Sequence, residues 1–402
     1  MPLDRPPDMS PLPYGRQWID EEDIRAVAET LRGDWLTTGP RVEQFEQAFA
    51  RRVGAKHAVA VSSGTAALHA AMAVLRIGPG DEVIVPPLTF AATANCVLYQ
   101  GGTPVFADVE PDTLLIDAEQ VKRKITPKTK AIIAVDYAGQ PCDYDRLRGL
   151  AWRHGLSLVA DACHALGGER KGRKVGTLAE LSTFSLHPVK PIAAGEGGVV
   201  TTDDADIARR LRSFRNHGID TTARERAAEG AWRYEMTELG YNYRLSDIHC
   251  ALAHSQLRKL TGWVERRQAI AARYDALLAG LPGIQPLAVR SEASHAYHLY
   301  VVQAFAPAPS QETVFKRMRA AGIGVNVHYM PVHLHPYYRQ RLGTGPGLCP
   351  VAEAAAERII SLPLFPKMTD ADVERVAEAL RAAAMPSAAI RPALSPARRT
   401  AA

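Results

Sequence analysis

Lys190 stands in STFSLHPVKPIAAGEGGVVTT, a polar, glycine-rich break between two short apolar runs, and Asp161 closes another apolar run, LSLVAD, 29 residues earlier. A lysine held where strands emerge, with an upstream carboxylate in a similar position, has the residue types that pyridoxal phosphate (PLP) chemistry requires. The amine can form a Schiff base with the aldehyde, and the carboxylate can pair with the protonated pyridine nitrogen. Pro188, Pro191 and the GEGG run stop any helix or regular strand from continuing through Lys190, so a plain surface loop is the competing reading. Asp161 has a competitor too, because aspartates often end strands by starting an Asx-turn.

Four further sites carry similar choices. SSGTAAL follows the run HAVAV and opens a helix, so the N–H groups of Gly64 and Thr65 would point out of a helix N-terminus as a phosphate cradle. A capping Ser62 or Ser63 and a turn-permitting Gly64 would give the same letters. Ser185 could bind phosphate or simply finish its strand. His164, in DACHALGG, could lie over or beside a cofactor ring or be a satisfied polar residue after a strand. Phe90, in VPPLTFAATAN, could stack on the other ring face or be an ordinary core aromatic.

The elements that must position these residues follow from periodicity. Between residues 56 and 201 the runs HAVAV, DEVIVP, TPVFAD, KAIIAVD, LSLVAD, STFSL and GGVVTT recur, mostly with room for a crossover helix between them. That rhythm predicts an α/β domain with a mostly parallel sheet, whose active site gathers at the carboxyl ends of the strands. SSGTAALHAAMAVL and DYDRLRGLAWRHG read as helices, the second ending at Gly155 as a C-cap. Upstream, DEEDIRAVAETLR, capped by Asp20, puts Ile24, Val27, Ala28 and Leu31 on one helical face, and DWLTTGP follows as a loop. After Asp203 longer helical stretches take over, first DADIARRLRSF and then an amphipathic region from about Ser246 to Leu278. That region bridges to a smaller domain, in which HLYVVQAF and GVNVHYMP read as strands and TDADVERVAEALRAAA, capped by Thr369, as the last helix. The expected division is a disordered tail over 1–11, a large domain over 12–250, the bridging helix and a C-terminal α+β domain over 251–385, and a disordered basic tail over 386–402.

Composition narrows the function classes. With 402 residues and 47% hydrophobic content the chain has ample material for a core. Three of the arginines behind the net charge of +5, Arg391, Arg398 and Arg399, lie in the C-terminal tail, and the remainder is too weakly and diffusely basic for a nucleic-acid binder. Five cysteines, widely spaced and without a CxxC pair, argue against a disulfide framework or a metal site. The start, MPLDRPPDMSPLP, has no apolar h-region and no window approaches a membrane span, so a cytoplasmic protein is expected.

SSGTAAL, DACHALGG, FSLHPVKPIAAGEGG, RNHG and GYNYRLSDI occur in an order and spacing that resembles the DegT/DnrJ/EryC1/StrS family of sugar aminotransferases over about residues 12 to 384. The resemblance implies a PLP-dependent transferase of fold type I, aspartate aminotransferase-like, with a large mostly parallel seven-stranded sheet domain and a smaller α+β domain. It also implies a homodimer with active sites at the interface. Carried onto matching positions, Lys190 resembles the lysine that anchors the cofactor, Asp161 the pyridinium partner, His164 and Phe90 the ring neighbours, and Gly64, Thr65 and Ser185 the phosphate ligands. Asn242, in GYNYRLSD, resembles the phosphate contact supplied by the partner subunit.

Within the family, LPYGRQWIDEEDI, DWLTTGP, DYAGQPCD, IGVNVHYMPVHLHPYY and ISLPLFP resemble the branch that serves pseudaminic acid biosynthesis. That branch moves the amino group of L-glutamate to C4 of a UDP-linked 4-keto-6-deoxy-N-acetylhexosamine, giving UDP-4-amino-4,6-dideoxy-N-acetyl-β-L-altrosamine. By the same resemblance Tyr14, Asp34, Trp35, Leu36, Thr37, Ser63, Asn326, Val327, His328 and Tyr329 line the substrate site. Another 4-amino-sugar enzyme, such as a UDP-4-amino-4-deoxy-L-arabinose aminotransferase, shares the mechanism, and a non-catalytic regulator would share the fold. The sugar dehydratase branch carries histidine where this chain has Lys190. One departure stands out: the family's usual Thr-Thr before GEGG is here Ala193 and Ala194.

Overall fold

The computed structural model describes residues 10–221 and 223–386. The tails expected to be disordered lie outside them, apart from Ser10, Pro11 and Pro386. All seven apolar runs form strands: β1 (His57–Val61), β2 (Glu82–Val85), β3 (Thr103–Phe106), β4 (Thr129–Val135), β5 (Ser157–Asp161), β6 (Leu181–Ser185) and β7 (Gly198–Thr202). They make one sheet in the order β1-β7-β6-β5-β4-β2-β3. Only β7 runs against its neighbours. The strands are apolar without alternation because both faces are covered. Asp161 pairs in register with Thr183, and Ser185 with Gly198, so the ends of β5 and β6, the start of β7 and the Lys190 connection share one edge.

Helix α1 (Glu21–Arg32) is capped as expected, Asp20 and Asp23 bonding each other's backbone N–H in a capping box. Its packing face differs from the expected one. Ile24 and Leu31 are 52% and 55% exposed, and Val27 and Ala28 are only half-buried. The helix turns its polar edge inward instead, because buried Asp23 meets Lys259 at 2.9 Å and Gln256 at 2.5 Å. Helix α2 (Pro40–Val53), which was not foreseen, follows the DWLTTGP loop and buries Phe45, Phe49 and Val53. Its Pro40 at the first turn and left-handed Gly54 at the end were legible start and stop signals. Ser63 caps α3 (Gly64–Val74), whose alanines let it lie close against the sheet. Then come α4 (Ala92–Tyr99), α5 (Tyr144–His154, ended by left-handed Gly155 as expected) and α6 (Ala205–Phe214).

The long α7 (Asp247–Leu278), capped by Ser246, crosses two cores. Its first half, Cys250 to Val264, packs under the large sheet, and Ile270 to Leu278 pack in a second core. That second core also holds the antiparallel sheet of β8 (Ile284–Pro286), β9 (Tyr300–Ala304) and β10 (Ile359–Leu362), together with α8 (Gln311–Ala320) and α9 (Asp370–Ala384). Thr369 caps α9 with a capping box. GVNVHYMP, expected as a strand, makes only isolated bridges. Ile323, just before the run, bridges Leu12, to which the Gly324 N–H also donates, and Asn326 bridges Ser361, so the run's backbone divides between two partners and forms no ladder.

Candidate active site

The floor of the site is set by strand ends. Asp161 is 6% exposed, accepts from Thr93 Oγ1 at 2.7 Å and from the Cys163 N–H at 3.3 Å, and Thr89 supports Thr93 through a 2.7 Å bond. These bonds fix the carboxylate, which has no salt-bridge partner among the described residues and can pair with a cation brought into the pocket. A Cβ on Gly64 would lie 2.9 Å from Ser185 Cβ and 3.4 Å from Cys163 Sγ. The opening of α3 therefore comes down directly on the end of β6, as a phosphate cradle between them requires. The first-turn N–H groups of Gly64 and Thr65 have no intrahelical acceptors. The Ser63 side chain is occupied by its cap to the Ala66 N–H at 3.0 Å.

The Lys190 turn is held by its own backbone, Lys190 N–H donating to His187 O at 2.9 Å and Ala194 N–H to Leu186 O at 2.8 Å. Burial pushes the Lys190 ammonium toward the free amine, while Cys163 and Asp161 pull the other way. Ala193 and Ala194, in place of two hydroxyls, are 3% and 2% exposed, and the Ala193 N–H bonds Gln256 Oε1 at 3.4 Å.

Histidines and aromatics close over this floor. His164, buried by 95%, bonds the Tyr329 hydroxyl at 3.0 Å, and the two rings stack with centroids 6.0 Å apart. Phe90 lies 6.3 Å from Tyr329 and is 63% exposed, which disposes of the core-aromatic reading. Tyr14 approaches His328 at 5.4 Å, and a Cβ on Gly15 would lie 3.5 Å from Val189 beside Lys190. His328 bonds Ser361 at 2.8 Å and Asn326 at 3.3 Å, and Asn326 Oδ1 accepts from the Val327 N–H. Burial pushes His328 down to about 4 and His164 well below the usual histidine range, so both rings are neutral near pH 7.

Lys190, Asp161, His164, Ser185, Gly64, Tyr14, Phe90 and Asn326 to Tyr329 thus belong to one pocket. Thr65 and Ser63 flank Gly64 at the same mouth, whereas the Asp34–Thr37 loop and Asn242 do not join the pocket within one chain. Trp35 and Leu36 are 46% and 48% exposed, and the Asp34–Thr37 loop is tied to the head of α7, where Asp247 accepts from the Gly39 and Arg41 N–H groups at 2.7 and 2.9 Å. Asn242 is exposed, on a segment bridged to Asn216. Two pocket residues escaped the sequence reading. Thr93 lies inside FAATAN, which carries no mark distinguishing it from any helix. His298, 3.4 Å from Lys190 Nζ, precedes the run LYVVQA, and a histidine entering a buried strand was the available signal. Among the described residues no cluster of metal-ligating side chains occurs, and no helix is long and apolar enough to cross a membrane.

The residues fit PLP on their own terms. The cradle that a Cβ at position 64 would fill, the paired Asp161 and the reachable amine supply a partner for each polar end of the cofactor. The orphaned, buried His164 Nδ1 lies in the same pocket.

Known proteins match this picture. The model of the DegT/DnrJ/EryC1/StrS aminotransferase family matches residues 17–381. The chain is 42% identical over 374 residues to the spore coat polysaccharide biosynthesis protein SpsC of Bacillus subtilis, covering 92% of this chain and 96% of that one. Among solved structures it is similar to Helicobacter pylori PseC, an aminotransferase involved in the biosynthesis of pseudoaminic acid. The TM-score is 0.87 at 32% identity over 93% of this chain and 99% of that one. It is also similar to S. venezuelae DesV, solved with a ketimine intermediate, with TM-score 0.85 and 35% identity over 93% and 99% of the two chains.

Proposed function

The chain belongs to the DegT/DnrJ/EryC1/StrS aminotransferase family, whose members are PLP-dependent, and we propose that it moves the amino group of L-glutamate to C4 of a UDP-linked 4-keto-6-deoxy-N-acetylhexosamine. The product is UDP-4-amino-4,6-dideoxy-N-acetyl-β-L-altrosamine, for pseudaminic acid biosynthesis. The observation that carries this reading is the convergence of Tyr14 and Asn326 to Tyr329 on the Lys190 pocket, in a chain 32% identical to PseC.

PLP, when bound, supplies an aldehyde for the amine to be carried on and a ring that takes up the electrons released at carbon. The chain does the rest. Gly64, Thr65 and Ser185 would hold the phosphate, Asp161 would keep the pyridine nitrogen protonated, and His164 and Phe90 would be the ring's neighbours. Lys190 anchors the cofactor and, once released, takes a proton from one carbon and returns it to another, which its depressed ammonium favours. Both half-reactions use the same amine, so ping-pong kinetics result.

In this reading Asn242 reaches the phosphate of the partner subunit's site, and the enzyme works as a homodimer. The exposure of Asn242, Trp35, Leu36, Trp232, Tyr234 and Tyr241 on one chain supports it. A UDP sugar offers flat and polar surfaces to Tyr14, Trp35 and Tyr329.

The test is turnover of the pseudaminic acid pathway's 4-keto sugar nucleotide with ¹⁵N-glutamate, against UDP-4-keto-arabinose and other 4-keto nucleotide sugars. Label entering the first sugar at the highest kcat/KM is expected. A preference for the pentose makes the chain an arabinose-type aminotransferase, and a protein that takes up no PLP and stays colourless sinks the enzymatic reading.

A further inference from the structure

Lys190 Nζ has one side-chain hydrogen bond among the described residues, and its partner is His298 Nε2 at 3.4 Å. His298 is 4% exposed, and its ring lies 4.4 Å from that of His164 at an interplanar angle of 52°. Its Nδ1 is buried without a partner, as is Nδ1 of His164. An unpaired buried polar atom is costly, so two of them on rings 4.4 Å apart are a poor way to fill a core.

The backbone that carries His298 is fixed from three sides. Arg267 of α7 donates to Tyr297 O at 3.1 Å, His298 O at 3.5 Å and Leu364 O at 3.0 Å. The Leu299 N–H donates to Ala138 O at 3.0 Å, and a Cβ on Gly139 would lie 2.9 and 3.0 Å from the Tyr297 and His298 nitrogens. A buried guanidinium committed to three carbonyls is a costly fixture for a residue that only occupies space.

Resting on the aminotransferase reading above, we infer that His298 is a positioning residue for the Lys190 amine: its neutral imidazole accepts a hydrogen bond from the released lysine and aims the lone pair at the substrate carbon. Asp161 and Cys163 from the end of β5, His164, His328 and Tyr329 across the pocket, and Arg267 from α7 are the ionisable groups that face this pair. Burial first, and then the Lys190 and Arg267 charges beside it, hold the His298 ring deprotonated. The proton that Lys190 takes up and returns stays on Nζ, and His298 neither gains nor loses one. The ring acts through the lysine, by holding one rotamer of a flexible side chain during the step in which no covalent bond holds it.

The experiment compares the wild type with H298Q, which keeps an acceptor near the Nε2 position, and H298L, which keeps bulk alone. One measurement is the pH midpoint at which each apoprotein captures PLP in a borohydride-reducible linkage at Lys190. The other is the rate of the glutamate half-reaction, followed by loss of the yellow band. H298L is expected to lower the capture midpoint, since the ammonium loses an acceptor, and to slow the half-reaction about tenfold with the KM for glutamate little changed. H298Q should restore much of both. Equal losses in the two variants with an unmoved midpoint, or wild-type behaviour in H298L, overturn the inference. Neither measurement uses the sugar, so a wrong nucleotide sugar leaves this result standing; a wild type that captures no PLP removes the function and this inference together.

Discussion

The inner wall of the pocket and its outer approach are built differently. Asp161, Ser185 and Gly64 stand on the ends of ladder-bonded strands and the opening turn of a buried helix, where the sheet fixes every backbone position. Asn242 and the Asp34–Thr37 loop stand exposed, the loop held to α7 at one residue, Asp247, whose N–H donates to Leu36 O and whose carboxylate accepts from the Gly39 and Arg41 N–H groups just beyond the loop. In the proposed reading the contrast separates chemistry from assembly: one chain brings together Lys190, Asp161, His164, Ser185 and Gly64, and leaves exposed the groups that would serve a second copy's site.

Breaking the inner wall should cost most. Lys190→Ala removes anchor, acid and base at once, and is expected to lower turnover by roughly 10⁴-fold, with no borohydride-reducible linkage to the chain. A residual rate within tenfold of wild type would move the chemistry to another residue. Asp161→Asn keeps the Thr93 and Cys163 contacts in outline but loses the charge. A hydrogen bond to a charged group is worth about 1.5–3 kcal/mol, so turnover should fall by about ten- to a hundredfold while the melting temperature holds. Near-normal turnover would remove Asp161 from the role of pyridinium partner.

What the sequence disclosed follows the same division. Seven apolar runs became seven strands because a sheet covered on both faces leaves a continuous hydrophobic signal, and Asp161 and Lys190 were legible as polar residues interrupting it. The face of α1 was misjudged because Ile24 and Leu31 suggested a core-facing stripe, whereas buried Asp23 is paired with Lys259 more than 200 residues away, a contact that no periodicity encodes. GVNVHYMP has strand composition, but two different partners claim its backbone. His298 escaped because its role depends on Arg267 and Gly139, which come near it only in three dimensions.

The outer approach can be tested without the sugar being known. Lys190→Ala and Asn242→Ala chains are each expected to be impaired alone. Mixed under conditions that exchange subunits, they form hybrids in which one of two sites combines an intact Lys190 with an intact Asn242. Random pairing then recovers about a quarter of wild-type activity, as a shared two-fold site demands. Mixtures no more active than their parents would confine Asn242 to its own chain and dissolve the contrast between the two regions.

The smallest effect is on stability, and its sign comes from the histidines that line and back the inner wall. Burial pushes His295 down to about 3 and His328 to about 4, with His164 and His298 also well below the usual value of 6.5. A depressed histidine is neutral when folded and protonated when unfolded between its two values, so the unfolded chain binds the extra proton and stability falls as pH drops below 6.5. Each such group contributes a slope of up to ~1.4 kcal/mol per pH unit between 6.5 and its folded value. Asp136 opposes them by one proton: burial pushes its carboxyl up to about 7, so the folded chain holds that proton down to the unfolded carboxylate range. With His69 and His254 also depressed by burial, the depressed histidines outnumber the one raised carboxyl, the net is a loss on acidification, and the melting temperature should fall steadily from pH 6.5 to 4. His328→Asn should flatten that slope by up to one proton's worth. A His328→Asn curve parallel to wild type would mean that this ring already titrates in the fold, and that the inner wall is as open to water as the outer one.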